Sequence, residues 1–95
     1  MNSSYVYTRH ANERSTARTI PPMIAEIIIE YGESRDAGEG ARKFALTKRS
    51  MHELRRVGGR GLANAINPYR NRNAYVVVIG GRIVTMAYAS NSLFN

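Results

Sequence analysis

Tyr75-Val76-Val77-Val78-Ile79-Gly80-Gly81-Arg82-Ile83-Val84-Thr85-Met86-Ala87-Tyr88 is the stretch whose reading decides the fold. Two β-branched runs flank a Gly-Gly pair, and a two-residue hairpin turn needs the positive φ that glycine adopts without a Cβ clash. The stretch therefore reads as a β-hairpin. With Gly80 and Gly81 as the turn, Ile79 faces Arg82, Val78 faces Ile83, Val77 faces Val84, Val76 faces Thr85 and Tyr75 faces Met86. In that register Arg82 and Tyr88 share the face of Tyr75. Both faces are largely apolar, so the ribbon needs a cover, and the residues before it must supply one.

Working outward, Ala41 to Thr47 reads as a further strand, with Phe44 and Leu46 on one side and Lys43 on the other. Ser50 and Glu53 have capping-box spacing. Met51, Leu54 and Val57 then give a narrow apolar seam beside Arg49, Arg55 and Arg56, which predicts a short basic helix ended by Gly58-Gly59. Residues 58–73 read as a long loop pinned by Leu62 and Ile66, with Arg60, Tyr69, Arg70 and Arg72 available to a nucleic-acid backbone or base. Equally, that loop can be a plain crossover back to the sheet.

Toward the N-terminus, Ile24, Ile27, Ile28 and Tyr31 fall at i, i+3, i+4 and i+7 after Pro21-Pro22, predicting an amphipathic helix that Gly32 ends. Residues 33–40 read as a polar loop. Thr8 can cap a still earlier helix, on which His10, Arg14 and Arg18 recur every four residues along one face. By spacing alone that stripe is as well explained by a solvated helix face with local salt bridges. The expected architecture is one α+β domain over residues 1–95, N-terminal helices packed on a small antiparallel sheet ending in a β-hairpin. Residues 1–7 serve as a lead-in and residues 90–95 as a tail.

Charge narrows the function classes. The chain has 95 residues, 14 Lys and Arg against 7 Asp and Glu, and no cysteine. Residues 1–40 hold four basic and six acidic groups, and residues 41–95 hold ten basic and one acidic. A field of one sign attracts polyanions, and nucleic acid is the commonest in a cell. No disulfide can form, the longest isoleucine run is too short to span a bilayer, and no signal pattern opens the chain. These features predict a soluble, cytoplasmic protein with no membrane partner. No Walker pattern, His-Glu-x-x-His or carboxylate cluster occurs, so neither a metal nor a cofactor is expected.

Several of these motifs together carry a resemblance. His10-Ala11-x-Glu13-Arg14-x-x-x-Arg18-x-Ile20, the isoleucine-rich helix, Tyr31-Gly32-Glu33, Lys48-Arg49, Tyr75-Val76-Val77 and Gly81-Arg82-Ile83-Val84-Thr85 resemble a small bacterial and phage-borne family known as a domain of unknown function. The resemblance covers nearly the whole chain. That family is similar to the barnase, EndoU, colicin and RelE-like group of metal-independent ribonucleases and toxins. The resemblance implies a RelE-like fold and an endoribonuclease, the toxin of a toxin–antitoxin pair. RNA would be its substrate and a small acidic antitoxin protein its partner, with His10, Lys48, Arg49 and Thr85 in the active site.

The chemistry is self-consistent. Metal-free RNA cleavage needs a base for the 2′-hydroxyl, cations for the phosphoryl oxygens and an acid for the leaving oxygen. His10 with Arg14 and Arg18 supplies both kinds of group, Thr85 can orient a phosphate, and Tyr88 can stack or donate a proton. Lys48, Arg49, Arg55, Arg56, Arg60, Arg70 and Arg72 are the expected nucleic-acid contacts, and His52 reads as a surface residue. The competing expectation is a non-catalytic basic module that binds RNA, DNA or an acidic protein. In a third, structural reading the His10-Arg14-Arg18 stripe braces a helix on the sheet.

Overall fold

The computed structural model describes Val6, Tyr7, residues 20–92 and Phe94. The order along the chain is β1 (Val6–Tyr7), α1 (Pro22–Tyr31), β2 (Glu33–Gly38), β3 (Ala41–Ala45), α2 (Lys48–Asn71), β4 (Ala74–Ile79) and β5 (Arg82–Tyr88). The expected helix over 9–18, with its Thr8 cap and its His10-Arg14-Arg18 stripe, lies outside the described residues. The class is α+β. One sheet has the order β1-β5-β4-β3-β2, in which β2 to β5 pair antiparallel and β1 adds a short parallel pairing to β5.

The Gly80-Gly81 turn is as the sequence predicts, with φ of 54° and 78°. Register follows prediction for two pairs, Ile79 with Arg82 and Val78 with Ile83, and then slips. Val84 is an extra residue on β5, so Val77 faces Thr85, Val76 faces Met86, Tyr75 faces Ala87 and Ala74 faces Tyr88. A bulge of one residue sends every later side chain to the opposite face. Thr85 therefore joins Tyr75, Val77 and Arg82, while Tyr88 moves to the face of Val76, contrary to the even register expected from the turn.

That second face is the core. Ala74, Val76, Val78, Ile83 and Met86 pack with Ala25, Ile28 and Ile29 of α1 and with Leu54 and Ile66 of α2, so both helices cover the same side. Each isoleucine fully buried here contributes about 1.5–3 kcal/mol before chain entropy is subtracted. On α1 the centre of the apolar stripe is Ala25, Ile28 and Ile29, with Ile24, Ile27 and Tyr31 packed along its edges. The helical layer is not all N-terminal, because α2 lies between β3 and β4.

Three expectations are corrected in the middle of the chain. Residues 33–38 are a strand rather than a loop, turning into β3 through Gly38, Glu39 and Gly40, all at positive φ. The strand is polar because it is an edge: alternation is not required where neither face is buried, and charge there discourages pairing with another chain. Helix α2 begins at Lys48, and its N-cap lies three residues before the expected Ser50 cap. Buried Thr47 is its N-cap, with its hydroxyl accepting from the Ser50 N–H and the Ser50 hydroxyl accepting from the Thr47 N–H. The Thr47 hydroxyl donates in turn to Glu33 at 2.6 Å, tying α2 to the start of β2.

The third correction concerns residues 58–73, which are mostly helical. Gly59 interrupts α2 with φ 85° and ψ 176°, and a second helical segment runs on to Asn71. The helix does break at the glycine pair, but Ala63, Ile66 and partly Leu62 and Tyr69 bury a new stripe beyond it. Burial of that stripe outweighs the weak helix propensity of Gly61, Pro68 and the asparagines. Val57, expected in the seam, is 55% exposed because the break follows it at once. The C-terminal tail is also packed at Phe94, which is buried with the Arg35 guanidinium 4.6 Å from its ring centre.

Gly32 ends α1, though in an extended conformation with φ −70° rather than a left-handed one. What it supplies is space: a Cβ there would collide with the Ile28 carbonyl oxygen and come within 2.8 Å of that of Ala45. Gly32→Ala must push α1 off β3, and it is expected to destabilise the domain by about 1–3 kcal/mol in urea unfolding. An unchanged midpoint would show that α1 and β3 separate freely at this point.

Candidate nucleic-acid interface

The basic residues of the second half converge through the break in α2. A straight helix would put Lys48 and Arg70 about 33 Å apart. Instead, the chain folds back at Gly59, with the Leu62 side chain against Gly58, and the two segments face one another. Lys48, Met51, His52 and Arg55 from the first segment and Asn67 and Arg70 from the second line a cleft of about 240 Å³. Three cations, an imidazole and an amide thus share one concavity, and no carboxylate is among its described lining residues. Such a set attracts phosphate electrostatically, and Arg can hold it with two parallel hydrogen bonds.

Of the expected nucleic-acid contacts, Lys48, Arg55 and Arg70 are brought together. Arg49 and Arg60 are exposed but lie outside the described lining of the cleft. Arg56 is engaged elsewhere, in an ion pair with Glu53, the one acid after residue 40. That hydrogen bond from Arg56 lowers the Glu53 carboxyl below the usual carboxylate range, and the same bond raises Arg56. The pair is therefore kept at neutral pH and lost as pH falls through the depressed Glu53 value, and being exposed it adds little to stability. Its consequence for the surface is that Glu53 neutralises Arg56 and leaves the cleft cations without an acidic neighbour in the lining.

Arg72 sits at the C-terminal cap of α2, with its guanidinium 4.0 Å from the centre of the Tyr88 ring. The Tyr88 hydroxyl is buried with no hydrogen-bond partner among the described residues. Thr85 is half-buried on the face of the sheet opposite α1 and α2, so Thr85 and Tyr88 project from opposite sides of β5. His10, Arg14 and Arg18 lie outside the described residues. Among the described residues no group of three or more His, Cys, Asp and Glu could hold a metal ion, and no helix is long and apolar enough to cross a membrane.

His52 and Asn67 are the cleft residues that the sequence reading did not assign. His52 is exposed, as expected of a surface residue, yet it faces Arg70 across the cleft rather than open solvent alone. A signal existed: Lys48, Met51, His52 and Arg55 fall at i, i+3, i+4 and i+7 once the helix starts after Thr47. Nothing local marks Asn67, which enters only because the second segment returns. Comparison of the chain with models of protein families, with curated proteins and with solved structures finds no match.

The cleft depends on a backbone conformation that is open to glycine almost alone. Gly59 has free space around a would-be Cβ, so any cost of substitution comes from φ and ψ and not from a clash. Gly59→Val is expected to cost about 1–3 kcal/mol in denaturant unfolding. A variant as stable as the parent would mean that the segments join in another way.

Proposed function

We propose that this chain binds single-stranded RNA, with the cleft between the two segments of α2 as its main phosphate-binding surface. The reading is carried by one observation: Lys48, Arg55 and Arg70, separated by up to 22 positions in sequence, line one concavity together with His52 and Asn67. The +9 balance of residues 41–95, ten basic against one acidic, favours the same class of partner over an acidic peptide by its extent beyond the cleft. A single strand suits the site better than a duplex, because an individual phosphate can enter a narrow cleft only when its neighbours are free to turn aside.

A second reading, metal-independent cleavage of that RNA in the manner of RelE-like toxins, is favoured by the imidazole in the same cleft. An imidazole between guanidinium groups provides a proton acceptor or donor beside cations that stabilise charge on the phosphoryl oxygens. In this reading His52 takes the 2′-hydroxyl proton as that oxygen bonds to phosphorus, Arg55 and Arg70 hold the phosphoryl oxygens, and the bond to the 5′-oxygen breaks with a proton supplied by water, leaving a 2′,3′-cyclic phosphate. The His10-Arg14-Arg18 stripe is the rival set for the same chemistry. A small acidic antitoxin would compete with RNA for the cationic surface, and the cytoplasm is the setting this function requires.

Binding is tested by titrating a labelled RNA octamer at several salt concentrations. Three phosphate contacts on a single strand give a slope of log affinity against log salt of about −2. A Lys48→Gln, Arg55→Gln, Arg70→Gln triple variant is expected to flatten that slope and weaken binding at low salt, and an unchanged slope would remove the cleft as the contact. Cleavage is tested on the same RNA with EDTA present. A drop of about 10²–10⁴-fold in His52→Gln, with binding kept, places proton transfer in the cleft. The same drop in His10→Gln alone places it on the stripe, and an intact octamer after incubation with wild type leaves a binding module.

A further inference from the structure

Arg70 lines a second cleft as well as the first. This cleft, about 180 Å³, lies where the end of α2 meets Leu46 after β3, the start of β4 and the C-terminal segment. Arg70, Asn71, Asn73 and Ser92 supply its polar groups, and Leu46 and Phe94 are among its apolar walls. The Arg70 Nε is buried and has no hydrogen-bond partner among the described residues. A buried donor left without an acceptor is costly, and a charged one more so, so Arg70 is the residue of this cleft with unmet hydrogen-bonding capacity.

The position of Asn73 is fixed in advance. Its φ is 60°, its N–H donates to the Arg70 carbonyl, and its amide and carbonyl hold Ala89 at the end of β5. Ser92 is likewise tied locally, its hydroxyl donating to the Phe94 carbonyl at 3.0 Å. Asparagine amides both donate and accept, so they suit a flat heterocycle whose edge also does both. Phosphate suits the site less well: the cleft stands at the C-terminal end of α2, where the helix dipole is negative.

We infer that this second cleft is a nucleobase pocket, in which the Arg70 guanidinium donates to a base carbonyl oxygen and the amides of Asn71 and Asn73 read the remainder of its edge. The inference rests on the RNA reading for the source of the base: a strand whose phosphate lies in the first cleft turns one unstacked base past Arg70 into the second. Arg70 is then the residue shared between phosphate binding and base selection. The same chemistry would accept the base of a free nucleotide.

The test uses the full-length chain, isotopically labelled, with amide resonances followed by NMR. The four nucleoside 5′-monophosphates, inorganic phosphate and four homopolymeric RNA octamers are titrated separately at equal ionic strength. At least one monophosphate is expected to shift the Asn71, Asn73 and Ser92 resonances, and inorganic phosphate is expected to leave them in place. Asn71→Leu should weaken that monophosphate roughly tenfold, as the loss of one pair of base-edge hydrogen bonds implies. Ser92→Leu, which narrows the cleft from the other side, should weaken it as well, so a folding defect in one variant does not decide the matter.

Shifts reproduced by inorganic phosphate overturn the pocket in favour of a plain anion site. Octamer binding without any shift at these three residues overturns the pocket and leaves the RNA reading standing. Monophosphate binding without octamer binding upholds the pocket, overturns the RNA reading and makes a free nucleotide the ligand. Absence of binding by every probe overturns both.

Discussion

The break at Gly59 is the constraint on which the cationic cleft depends. Its φ of 85° and ψ of 176° reverse the course of α2, and only that reversal brings Arg70 back beside Lys48 and Arg55. An uninterrupted helix would carry the same cations as a long solvated stripe, attractive to a polyanion at distance but offering it no concavity. Stability and function are coupled at this point. Leu54 before the break and Ala63 and Ile66 after it are buried against one sheet face, so the reversal is held by the core and not by the glycine itself.

The sheet contributes in a different way. On one face α1 and α2 satisfy the apolar demand of β4 and β5, and the opposite face carries Tyr75, Val77, Ile79, Thr85 and Arg82. Lys43 lies 4.7 Å from the centre of the Tyr75 ring on that side. Such pairings let a cation and an aromatic ring share solvent exposure. The bulge at Val84 distributes residues between these faces, and so decides that Thr85 stands away from the helices while Tyr88 lies under Arg72.

The geometry also changes where chemistry is to be sought. Charge pattern and resemblance pointed to His10 and its arginine stripe, to Thr85 and to Tyr88, and the last two project from opposite sides of one strand. A single phosphate cannot readily meet both. His52, by contrast, is in the cleft with cations from two helical segments, on a helix anchored at its start by the Thr47–Ser50 box and the hydrogen bond to Glu33. Rigid placement of this kind is what proton transfer and phosphate recognition both require.

Local chemistry alone determined the Gly80-Gly81 turn, the Pro-started isoleucine helix, the strand at Ala41 and the glycine stop after Val57, because each rests on φ preferences or periodicity within a few residues. It also determined the concentration of positive charge after residue 40. The bulge at Val84 carries no sequence mark, since valine fits a paired or an unpaired strand position alike. Neither does the strand at Glu33–Gly38, whose polar residues pair through backbone groups that every residue type possesses. Helix formation from Arg60 to Asn71 was decided by burial of Ala63 and Ile66 against the core, a gain that intrinsic propensity cannot foretell. The clefts were decided there too: Lys48, His52, Arg55 and Arg70 form a site only after the chain turns back on itself, and proximity across a turn is a property of tertiary packing.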